Sequence, residues 1–98
     1  MDKHQAELDH IRREIDELDK VLLSTLKQRF KFVEKIARVK KKLKMGTHQK
    51  GRWEEMLQIR LGIAARLRLE EEFTLSFFKL IHKESKRIQL ESKTKDKK

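Results

Sequence analysis

The sequence predicts an all-α protein, with three helices per chain, a very long first helix, and assembly as an intertwined homodimeric helical bundle. Three observations predict it. The 98 residues include no proline and only three glycines, so nothing supplies the turns of an all-β fold. An apolar seam alternates three- and four-residue steps from Leu8 to Leu43, as a coiled-coil-like helix does. The third observation concerns length. A helix of nearly forty residues spans roughly 60 Å, whereas a compact globule of this size has a radius of gyration of about 13 Å. The rest of one chain cannot wrap such a helix, so a second copy, related by two-fold symmetry, is expected to cover its seam.

The first helix is expected from Asp2 or Ala6 to Leu43 or Lys44. Its seam reads Leu8, Ile11, Ile15, Leu18, Leu22, Thr25, Arg29, Phe32, Ile36, Val39, Leu43. "KMGTHQKG" (44–51) breaks it, with Gly46, Thr47 and Gly51 as the expected turn and cap formers. A second helix begins near Gly51 or Arg52, with Met56, Ile59, Ile63 and Leu67 as its apolar stripe. Its join to the third helix, around Arg66 to Glu70, holds no Gly or Pro and is soft. The acidic run at 70–72 suits a helix N-terminus, where the macrodipole favours negative charge. Phe73, Phe77, Phe78, Ile81, Ser85 and Ile88 follow on the third helix. No repeat or interdomain linker interrupts the chain, which reads as a single domain over 1–98, with 91–98 ("ESKTKDKK") as a disordered basic tail.

Composition narrows the function. No apolar run reaches the ~18 residues of a membrane span, and the N-terminus lacks the apolar core of a signal peptide, so the expectation is a soluble cytoplasmic protein. The absence of cysteine excludes disulfides and thiol catalysis. His4, His10, His48 and His82 show no helical metal spacing, so no metal is expected. The formal net charge of +10 suggests an anionic partner, either nucleic acid or a small polyanion.

The candidate site starts from Arg29, which occupies a seam position. A buried charge is costly without a partner. The residues three and four away on the same helix are Leu26, Phe32, Thr25 and Val33, none of them acidic. The anion should come from another segment or from a ligand. Arg12 and Lys40 each lie one residue beyond the seam. Snorkelling, with the stem on apolar surface and the charge in water, is the plainer account of Arg12 and Lys40, but a seam arginine in mid-helix has less route to solvent. Ser85 and Gln89 follow Ile81 at four-residue spacing and put a hydroxyl and an amide on the inward stripe, unless that stripe is a polar boundary. Arg52 opens the second helix and is exposed by default. Together the six would make an anion pocket rich in donors and poor in acids. It has no nucleophile–base pair, no metal set and no Gly-rich phosphate loop.

Residues 8 to about 90 resemble the all-helical class of chorismate mutase. The resemblance rests on an ordered set: Arg12 in "IRREIDELD", Arg29 in "LKQRFKFV", Lys40 in "IARVKK", Arg52, then Ser85 and Gln89 in "HKESKRIQ". Each motif alone is weak, but the set at these spacings on three helices is specific. It implies rearrangement of chorismate to prephenate, a pericyclic shift that needs no nucleophile, general base or cofactor. Catalysis would select the folded substrate and stabilise a polar transition state. By resemblance, Arg12 and Arg29 bind the carboxylates, and Lys40 and Gln89 hydrogen-bond the ether oxygen. Ser85 assists the ring carboxylate, and Arg52 helps close the site. Arg12 and Lys40 are 28 residues apart, about 42 Å along one helix, so Arg12 would come from the partner subunit.

One departure stands out. The family usually has an acid directly after the arginine at 52 and another three residues before it, both meeting the substrate's ring hydroxyl. This chain has Trp53 and Gln49 there. Mutase domains that accompany DAHP synthase share this "QxxRWxE" form, which makes a DAHP synthase partner conceivable by analogy alone. Gln49 is the first replacement for the hydroxyl contact and Glu55 the second. Two rival functions remain. An isochorismate-pyruvate lyase uses the same fold and a similar cationic site, but Ser85 and the three-helix match favour the mutase. A basic dimeric helical nucleic-acid binder would exploit "RVKKKLK", but that run lies on a long amphipathic helix without a turn-plus-recognition-helix pattern. The expected partners are therefore chorismate and a second copy of the chain, with neither nucleic acid nor membrane.

Overall fold

The computed structural model describes residues 2–46 and 50–95. Its helices are α1 (Lys3–Lys42), α2 (Lys50–Arg66) and α3 (Glu71–Lys95), with no strand among the described residues. No helix among them is long and apolar enough to cross a membrane. The chain divides after Phe32 into two units.

Residues 2–32 carry the larger part of α1. Asp2 caps the helix: its Oδ1 accepts the His4 N–H at 3.0 Å and its carbonyl accepts the Ala6 N–H at 3.2 Å. Surface pairs reinforce the turns, Gln5 to Asp9 at 3.0 Å and Lys20 to Glu17 at 2.9 Å. Within this unit no side chain is buried. Leu8, Ile11, Ile15, Leu18 and Leu22 all face solvent, Leu18 to 67%.

The second unit contains the end of α1 and the pair α2–α3. α1 stops in a Schellman motif. Lys44 adopts a left-handed φ of 56°, Met45 N–H bonds Lys40 C=O at 2.8 Å, and Lys44 N–H bonds Lys41 C=O at 3.1 Å. The expected glycine cap is thereby corrected: the left-handed residue is Lys44, two before Gly46, and no glycine has positive φ. Thr47 lies outside the described residues. α2 ends in the same way at a non-glycine residue. Arg68 has φ 60°, and Leu69 N–H reaches Ala64 C=O at 2.9 Å. The join that looked soft is thus a defined turn over 67–70.

α2 and α3 form an antiparallel hairpin across that turn. Ala64 and Ile81 are buried in it, and Val33 and Ala37 are buried on the end of α1. The expected α2 stripe needs correction. Ile59, Ile63 and Leu67 are exposed, and the covered face is Trp53, Met56, Leu57, Arg60, Leu61 and Ala64. α2 carries apolar residues on two faces, so periodicity alone could not choose between them. Phe73 is likewise exposed and stacks on Phe77, with centroids 6.2 Å apart. Glu71 and Glu72 open α3 at its positive dipole end, as expected. α3 continues through Glu91 to Lys95, covering the start of the segment read as a tail, while 96–98 lie outside the described residues. Arg87 supports this end by bonding Glu91 at 2.7 Å, one turn on.

Candidate functional site

The site is built on one stripe of α3. Ile81, Ser85 and Gln89 recur every four residues, and all three are buried. Two of them are polar, so each needs a hydrogen bond. Ser85 Oγ donates to Ile81 C=O at 2.8 Å, the usual back-bond of a helical serine. A change of χ1 would turn that hydroxyl outward. Gln89 Oε1 accepts from Lys40 Nζ at 3.1 Å. Lysine has no acceptor, so this contact fixes the carboxamide with oxygen toward Lys40 and leaves its NH₂ on the other side. Lys40 is half-buried in the last turn of α1, where the dipole favours a cation.

The acid next to Ser85 in sequence is engaged by an arginine. Glu84 precedes Ser85 in the chain, but its carboxylate takes two bonds from Arg87, at 2.6 and 2.9 Å. The Arg87 hydrogen bond holds the Glu84 carboxyl below its ordinary range, and Glu84 with Glu91 raises the arginine in turn. Among the described residues no group of three His, Cys, Asp or Glu side chains is placed to hold a metal ion.

The other predicted residues fall as follows. Arg52 is exposed in the first turn of α2, with Nη1 4.0 Å from Glu55 Oε1. Both side chains are about two-thirds exposed (65% and 67%), so solvent screening leaves that pair weak. Glu55 thus faces Arg52. Gln49 lies outside the described residues. Arg12 and Arg29 belong to residues 2–32, where Arg12 is exposed and Arg29 half-buried, the latter consistent with a seam position. The structure therefore brings Lys40, Ser85 and Gln89 together.

Sequence reasoning missed an aromatic contact. Trp53 stacks on His82 with ring centroids 4.0 Å apart and planes 21° from parallel. In the sequence, Trp53 stands out only as the residue found where an acid is usual. The available signal was its place at the head of the 53–56–60–64 stripe, the face of α2 that is covered.

An ammonium and an amide share a hydrogen bond, and one turn away a serine hydroxyl is bonded to the backbone. Such a set can bind an anionic molecule and stabilise charge growing on an oxygen. No curated protein matches the chain. The family model for chorismate mutase type II matches residues 11–90, from the first turns of α1 to the residue after Gln89. With four-fifths of its length matched, this chain belongs to the type II chorismate mutases, the helical enzymes that rearrange chorismate to prephenate on the way to phenylalanine and tyrosine.

Proposed function

We propose that the rearrangement takes place in a cationic pocket completed by a second copy of the chain. The observation that carries this reading is the Lys40–Gln89 contact at 3.1 Å on the buried Ser85 stripe. As the ether bond of chorismate breaks, negative charge grows on its oxygen. Lys40 donates from its ammonium and Gln89 from its NH₂, both already oriented by their mutual bond, so little reorganisation is needed at the transition state. Arg29 and the partner's Arg12 receive the two carboxylates, Ser85 assists the ring carboxylate, and Arg52 closes over the substrate. Gln49, or failing it Glu55, meets the ring hydroxyl. No proton is transferred and no covalent intermediate forms.

The open stripe of α1 supports the homodimer. Leu8, Ile11, Ile15, Leu18 and Leu22 are each 40–67% exposed. Covering them would contribute roughly 1 kcal/mol or more each. Arg12 and Lys40 lie 28 residues apart on one helix, too far to hold one small molecule from a single chain. The whole of 1–98 is read as one mutase domain, working in the cytoplasm. A DAHP synthase partner rests on the "QxxRWxE" resemblance alone, and co-elution of the two proteins tests it.

The direct experiment follows the loss of chorismate absorbance with purified protein, then with Arg12→Ala and Lys40→Ala. Each variant alone should be nearly inactive. Mixed under subunit exchange, they should recover activity, because one heterodimer site keeps both residues. No recovery after proven exchange would place each site within one chain.

A further inference from the structure

The geometry points to the Trp53–His82 stack as a latch that positions Arg52 for substrate binding. The inference rests on the assignment of Arg52 to the site.

Arg52 has little to hold it. Its side chain is 65% exposed and its nearest acid, Glu55, is 4.0 Å away and equally wet. Along residues 51–55, the first turns of α2, Trp53 alone is not exposed. Trp53 is thus the side chain that fastens residues 51–55 to α3. The attachment is specific: the indole lies flat on the His82 imidazole at 4.0 Å, in the stacked arrangement that aromatic pairs favour. His82 sits three residues before Ser85 and seven before Gln89, so all three share one side of α3. Fixing Trp53 on His82 sets the register of α2 against the stripe that carries Ser85 and Gln89. Arg52, bonded to Trp53 through the backbone, is held beside that stripe.

The latch also accounts for the departure at position 53. An acid there would reach for the substrate hydroxyl. Trp53 is instead turned onto α3, so the position has exchanged a substrate contact for an anchoring one. Trp53 and His82 are thus positioning residues. Their loss should loosen Arg52 in the ground state and the transition state alike, which raises KM and leaves kcat nearly unchanged.

The experiment measures KM and kcat for Trp53→Ala, Trp53→Phe, Arg52→Ala and the Arg52→Ala/Trp53→Ala double variant, with far-UV circular dichroism on each. Trp53→Ala should raise KM roughly five- to tenfold with kcat within about twofold, and Trp53→Phe should recover most of the loss. In the Arg52→Ala background, Trp53→Ala should add little, because the residue it positions is gone. If Trp53→Ala does not fold, His82→Gln removes the stack from the other ring and carries the same expectations. As the chain has a single tryptophan, its emission should change in His82→Gln, reporting the stack in solution. Full additivity of the two alanine substitutions would overturn the latch, as would a parental KM in Trp53→Ala. A parental KM in Arg52→Ala would overturn the site assignment together with the latch. A raised KM there with a parental KM in Trp53→Ala would remove the latch alone.

Discussion

Gln89→Glu isolates the donor that the proposed chemistry needs. In the parent, Lys40 Nζ holds the carboxamide oxygen at 3.1 Å, and the NH₂ is the end left to face the ether oxygen. A carboxylate at 89 keeps the contact with Lys40 and gains charge, but it has no hydrogen to donate. The ether oxygen would then meet a second acceptor. Removing one preorganised donor costs about 2.7–4 kcal/mol, or roughly 10²–10³ in kcat, and repulsion between carboxylate and developing charge adds to that. Protonation restores an O–H donor. The sign is therefore fixed: variant activity rises as pH falls through the pKa of the introduced carboxyl, while Gln89 itself does not titrate and gives no such step. The Lys40 ammonium lowers that pKa and burial raises it, so the recovery locates the balance of the two. The assay is initial-rate chorismate consumption between neutral and acid pH on both proteins, with circular dichroism at each pH. A variant whose rate and pH profile match the parent would place Gln89 away from the reacting oxygen.

Four further outcomes are expected. Arg29→Lys keeps the charge but loses the planar fork matched to a carboxylate, so turnover should fall by roughly 2–4 kcal/mol of transition-state stabilisation, and parental kinetics would remove Arg29 from the substrate. Lys44→Gly and Arg68→Gly relieve left-handed backbones at φ 56° and 60°, and each should raise stability by roughly 0.5–1 kcal/mol in thermal melts, whereas a lowered melting temperature would count against the cap geometry. Gly62→Ala adds a methyl group with nothing within 4 Å in an exposed helical position, and should stabilise by about 0.5–1 kcal/mol unless the dimer brings another backbone close there. Dilution should lose helicity and activity together if a second copy covers the α1 seam as proposed, and light scattering that finds a folded, active monomer would refute the dimer.

How much of this was legible depends on whether one physical pattern or two competed at a position. α1 was legible almost to the residue, because its seam keeps one phase from Leu8 to Leu43 and Asp2 offers a cap at its start. Lys40, Ser85 and Gln89 were legible as an ordered set only through the family resemblance, because periodicity alone left Ser85 and Gln89 open to a polar boundary and Lys40 to snorkelling. The α2 face was not legible. Leu57 with Leu61 and Ile59 with Ile63 give two stripes of similar strength, and only contact with α3 decides that the first is covered. The helix stops were legible to within a residue or two, but the residues that cap them were not. Glycine is the cheaper left-handed residue, so Gly46 was the natural expectation, yet the paired bonds at Lys40–Met45 and Ala64–Leu69 outweigh the steric cost at Lys44 and Arg68.

Trp53 shows where a residue-by-residue comparison with a family stops short. Read against the usual acid, it is a missing contact, and the search turns to Gln49 and Glu55 for a substitute. Its three-dimensional surroundings turn the question round. An indole on the covered face of α2, 4.0 Å from an imidazole on the same side of α3 as Ser85, is already occupied and cannot also reach outward as an acid would. The hydroxyl contact and the fastening of α2 are then separate tasks, carried by different side chains. Where the acid is retained at this position, both tasks cannot fall to one tryptophan. Substitutions at 53 should accordingly act on KM through Arg52, and those at 49 or 55 through the ring hydroxyl. A chorismate analogue lacking that hydroxyl should cancel the second effect and leave the first intact.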